Sequence, residues 1–135
     1  MFEEEKDFSD KLDKFVNLEK TNISELKRIS QIVKDKDLDS FIKKREGYLN
    51  FILSNIKDLN KIEKDFFLHI ETLRKESLNI SKKNQKLWFT KLFENNFDDL
   101  KKLLKSILVT QNPNDFILVD KIVLEIEKLR YGNYK

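Results

Sequence analysis

The chain has 135 residues, of which 38% are charged and 39% hydrophobic, with two glycines, one proline and no cysteine. The missing cysteine excludes disulfides, thiolate nucleophiles and Cys-ligated zinc. Its 27 cations and 24 anions leave a net charge of +3, and the signs alternate along the sequence, which argues against a phosphate-binding stripe and so against a nucleic-acid partner.

The length fits one domain, 1–135, and the composition fits slender helices with narrow buried stripes. The start, MFEEEKDF, lacks the basic-then-apolar layout of a signal peptide, and no apolar run approaches the roughly 18 residues of a membrane span. A cytoplasmic, soluble protein without a membrane span is the expectation.

In chain order, Phe8, Leu12, Phe15, Val16, Ile23, Leu26, Ile29 and Val33 follow a helical stripe and predict a first helix over about 7–35. Thr21, Asn22 and Ser24 interrupt it with cap-like residues, and one helix with a bend is favoured. Asp35 to Asp39 is a short connection that forces the next helix antiparallel, with Asp37 as its N-cap. From Leu38, every seventh residue gives Leu38, Arg45, Ile52, Leu59, Phe66, Leu73 and Ile80, and the set offset by four gives Ile42, Leu49, Ile56, Glu63, Ile70 and Ser77. A seam this long predicts one helix over 38–80, on the order of 60 Å long. Asn79 to Gln85 is the predicted second turn. A third helix over 85–110 has the most aromatic face, with Asn95 and Asn96 marking a bend midway. Asn112 and Pro113 begin a fourth helix over 113–131, with apolar residues nearly all round it; a strand over Phe116 to Val119 would have no partner strand. A frayed tail is expected from Gly132. The fold class is therefore all-α: an elongated antiparallel helical hairpin extended to a three- or four-helix bundle.

Chemistry-bearing patterns are few. Asp35, Asp37, Asp39 and Glu46 match ligand spacing in a calcium loop, but the sharp turn that needs glycine falls on Ser40 and the helical stripe runs through the same residues. No metal and no cofactor are expected. Arg45 and Glu63 sit in the seam, where a charge must pair or snorkel. His69 reads as a rim histidine, since no nucleophile turn accompanies it. Trp88, Leu92, Phe93, Phe97, Leu100, Leu104 and Ile107 carry more apolar surface than a narrow hairpin can cover. They are the expected partner-binding groove, completed or covered by the fourth helix.

Two resemblances bear on function. LKRISQIVKDKDLDSFIKKREGYLNFI resembles the start of the helical chorismate mutases, which implies Arg28, Arg45 and Lys57 converging on a dicarboxylate. The longer stretch ELKRISQIVKDKDLDSFIKKREGYLNFILSNIKDLNKIEKD resembles the small helical export chaperones of the bacterial flagellum, the FlgN and FliT type. That resemblance implies a non-catalytic protein whose client is the amphipathic C-terminal helix of a hook-associated or cap subunit. A structural homo-oligomer, paired along the long seam, is the third expectation.

Overall fold

The computed structural model describes residues 2–109 and 113–132, with side chains over 7–109 and 114–131. It is all-α, with helices α1 (Phe2–Val33), α2 (Lys36–Ser54), α3 (Leu59–Leu92), α4 (Phe97–Ser106) and α5 (Pro113–Gly132). α1 packs on α2, α3 and α4, whereas the backbone of α5 lies against α4 alone.

α1 is one helix that starts five residues earlier than its periodicity predicts. Its cap-like residues bond within it, Thr21 Oγ1 donating to the Asn17 carbonyl at 3.3 Å. Phe8, Leu12, Val16, Ile23, Leu26, Ile29 and Val33 are buried along its inner face. The helix stops at Lys34, whose φ of 51° is left-handed and turns the chain back at little more than one residue's cost. Asp35, not Asp37, caps α2. Its Oδ1 accepts the Asp37 N–H at 2.9 Å and its Oδ2 accepts the Trp88 indole N–H at 2.8 Å, so one carboxylate both starts α2 and anchors the end of α3.

The single helix expected over 38–80 is folded in two. Asn55 turns its amide onto the Phe51 carbonyl at 2.8 Å and closes α2 through its backbone N–H, and Asp58 then caps α3 by accepting the Lys61 N–H at 3.2 Å. A heptad seam shows which face is apolar, and a four-residue turn can leave that face in phase. Leu38, Ile42, Leu49 and Ile52 before the turn and Phe66 and Leu73 after it therefore enter the same core, joined by Ile62, which is buried where the seam position Glu63 is exposed. That seam is used within the chain.

The turn expected over Asn79 to Gln85 is helix. Its polar residues bond without ending α3: Ser81 Oγ donates to the Ser77 carbonyl at 2.7 Å, and Asn84 Nδ2 donates to Asp37 Oδ2 at 3.0 Å. The break falls instead at 93–96, so the expected third helix, 85–110, is the end of α3 followed by the separate α4. Residues 116–119 are helical within α5. The expected Asn112 cap and the tail beyond Gly132 lie outside the described residues.

Candidate helix-binding groove

The surface expected from the aromatic residues of the third helix is interior. Trp88, Leu92 and Leu100 are fully buried, Phe97, Leu104 and Ile107 nearly so, and Phe93 is half-buried and edge-on to Phe97 at 5.7 Å. The break at 93–96 lets α4 turn its apolar face onto α1 and α3, which closes these residues inside the bundle. The helix expected as their cover, α5, rests on α4 through Val119, Val123 and Ile126, with Arg130 over the Phe97 ring at 4.2 Å. Charged contacts hold its flanks: Arg74 to Asp115 at 2.9 Å and Lys101 to Glu127 at 3.2 Å. These hydrogen-bonded carboxylates raise the pKa of Arg74 and of Lys101 above their ordinary values.

One open apolar surface, a cavity of about 430 Å³, lies between α1 and α3 over Phe15, Phe66, Phe67 and Ile70, and a longer one lies between α2 and α3. The two helices run antiparallel in a fixed register: Asp37 pairs with Lys83 at 3.2 Å, Lys44 pairs with Glu76 at 3.0 Å, and Tyr48 stacks on His69 at 4.5 Å. Two cavities follow this register. One, about 270 Å³, reaches from Asp37 and Lys83 to Lys44 and Glu76, over Phe41 and Ile80. The other, about 400 Å³, continues from Lys44 and Glu76 to Phe51 and His69, over Tyr48 and Leu73. They share Lys44 and Glu76, so together they form one groove crossed by one ion pair. Seven residues of each helix line it, from Asp37 to Phe51 and from His69 to Lys83, a length of about 21 Å.

Small residues on α2 open the groove. Ser40 and Gly47 are seven apart on the face that looks into it, and a Cβ built on Gly47 meets nothing within 4 Å. Phe51, at the mouth, is 38% exposed, with the Lys61 ammonium 6.0 Å from its ring centroid. The floor contains the Tyr48 hydroxyl, which is buried without a hydrogen-bond partner among the described residues. Burial, with a smaller contribution from Asp65, pushes the phenol up to about 12. At the other end, the Asn84 amide and then the Lys83 ammonium hold Asp37 below the ordinary carboxylate range.

Arg45 belongs to the scaffold under the groove. It is fully buried and pairs with Glu19, which occupies the seam position between Val16 and Ile23, and not with Glu63, which is exposed. Its Nε–H donates to Glu19 Oε2 at 3.1 Å and its Nη2 to Glu19 Oε1, while Nη1 reaches the carbonyls of Ser106 at 2.8 Å and Ile107 at 3.3 Å and Nη2 that of Leu108 at 3.3 Å. One guanidinium thus satisfies the free carbonyls at the end of α4 and joins three helices. Arg28 instead donates to Asp99 at 2.8 Å near the start of α4, about 12 Å along that helix from the Arg45 contacts, and Lys57 is exposed in the α2–α3 turn. The three cations expected to share a mutase pocket have separate surroundings.

Other exposed apolar groups are Phe67 and Leu68 on α3 and, on α5, Phe116, Ile117, Leu118, Leu124, Leu129 and Tyr131. No helix among the described residues is long and apolar enough to cross a membrane. Comparison of the chain with protein-family models, with curated proteins and with solved structures finds no match.

Proposed function

We propose that the protein is a non-catalytic helix-binding protein that seats one amphipathic client helix in the α2–α3 groove, as a flagellar export chaperone of the FlgN and FliT type would. The observation that carries this reading is the groove itself: two antiparallel helices held in register by ion pairs, apolar along the floor, with Gly47 leaving room where a third helix would pack. Helix-in-groove binding needs such a floor, and a client's apolar stripe would displace water from Phe41, Tyr48, Phe51 and Leu73. The stretch that resembles the chaperones, residues 25–65, forms the end of α1, all of α2 and the start of α3. It therefore includes the α2 wall of the groove. A chorismate-mutase reading would require one cationic centre, and Arg28, Arg45 and Lys57 supply none.

The test is a binding titration with fluorescently labelled C-terminal helices of hook-associated and cap subunits, read by anisotropy. Saturable binding that is lost in Gly47→Trp, with the variant's helical circular dichroism intact, is the expected result. Undiminished binding by Gly47→Trp, or no binding by the native protein, would overturn the proposal.

A further inference from the structure

One half of the groove, from Asp37 and Lys83 to Lys44 and Glu76, is far more basic than the chain as a whole. Lys75, Lys82 and Lys86, at helical spacing i, i+7 and i+11, form the outer row of α3 beside the groove residues Asn79 and Lys83, and Lys36 and Lys43 form the matching row of α2 beside Ser40. All five are exposed and have no carboxylate partner among the described residues. With Lys44 and Lys83, this half of the groove has seven lysines against three carboxylates, Asp37, Asp39 and Glu76. The local excess of four positive charges exceeds the +3 of the entire protein. Two of the three carboxylates are already engaged, Asp37 by Lys83 and Glu76 by Lys44.

Resting on the groove reading above, we infer that the occupant is an acidic amphipathic helix of about four turns from a partner protein, with Asp or Glu on both edges of its apolar stripe. The apolar floor supplies affinity, and the two lysine rows select the sign of the flanks. Opposite charges attract across the rim, and a helix with basic flanks meets uncompensated ammonium groups on both sides. The rows are exposed, so the attraction is screened by salt and acts most on the rate of encounter. Lys44 and Glu76 cross the middle of the groove, and a docking helix passes over them by exchanging their mutual bond for bonds to its own edges.

Two synthetic peptides of about fourteen residues test this, identical at their apolar positions and flanked by Glu in one and Lys in the other. Calorimetric titration is run on the full chain, on Lys82→Glu/Lys86→Glu and on Gly47→Trp, at low and at moderate salt. The expected result is binding of the Glu peptide alone, weakened by salt, about tenfold weaker in the double charge reversal, and abolished in Gly47→Trp. Equal binding of both peptides, lost in Gly47→Trp, would overturn the acidic selectivity and leave the groove standing. Failure of both peptides to bind would count against the groove as well. Glu-peptide binding that Gly47→Trp leaves intact would make the lysines a general anion surface, a result that duplex DNA and phosphatidylserine vesicles, titrated in parallel, would share. Should Gly47→Trp fail to fold, Ser40→Phe fills the narrower cavity in its place and the same outcomes apply.

Discussion

Replacing Arg45 with methionine isolates the interaction on which the three-helix junction depends. The guanidinium has no exposed surface, and its partner Glu19 is 2% exposed, so the variant leaves a carboxylate buried without a cation and removes the donors that serve three carbonyls at the end of α4. Stranding one member of a buried pair costs about 3–5 kcal/mol, a large part of the roughly 5–15 kcal/mol that holds a domain together. Adding Glu19→Leu removes the stranded charge but not the need of the α4 carbonyls, so the double variant regains part of the loss and remains about 1–3 kcal/mol below the native protein. Urea denaturation followed by circular dichroism at constant m-value measures each step. A cost under about 1 kcal/mol for Arg45→Met, or a double variant no more stable than the single, would refute the reasoning.

Other expectations follow from single contacts. Gly47→Ala should raise stability by about 0.8–1 kcal/mol through helix propensity, because the new methyl meets nothing; a lower thermal midpoint would contradict the open groove. Tyr48→Phe removes a buried hydroxyl that has no partner and should leave stability unchanged or raise it by about 1 kcal/mol in urea denaturation. The phenol ionises near its ordinary 10 when unfolded and near 12 when folded, so the unfolded state holds fewer protons between these values and native stability falls across that window. Tyr48→Phe should flatten the alkaline limb; an unchanged limb would count against burial as the cause. Asp99 lies below the ordinary carboxylate range because Arg28 donates to it, so its contribution is present above that range and is lost as pH falls through its folded value. Asp99→Asn should therefore shallow the acid limb of the urea midpoint, and an unaltered slope would refute the pairing.

Much of the helical pattern was legible in the sequence, because apolar spacing reports directly which face of a helix is buried. Direction was not. The seam from Leu38 to Ile80 reads the same whether the helix is continuous or folded at Asn55, and only the cap chemistry of Asn55 and Asp58 distinguishes the two. Polar residues misled in the opposite sense at Asn79, Ser81 and Asn84, which resemble a turn until Asp37 is seen across the groove to receive Asn84. Glu19 carried a readable signal, a charge in the apolar series Val16 to Ile23, although its pairing with Arg45 needed the third dimension. The groove was illegible for the same reason. Its floor is shared by two helices that a single long helix would have kept apart, and its lysine rows are separated by some thirty residues of sequence that alternate in sign.

The most direct test of the groove is a two-dimensional amide NMR titration of the protein with the C-terminal helix of a hook-associated subunit. Gly47 reports the groove, and the Trp88 indole N–H, bonded to Asp35 in the core, reports the interior aromatic surface. Seating of the client between α2 and α3 predicts large shifts at Gly47, Thr72 and Asn79 with the Trp88 indole signal unmoved. A displaced indole signal with Gly47 unchanged would contradict that placement and return the client to the α3–α4 surface.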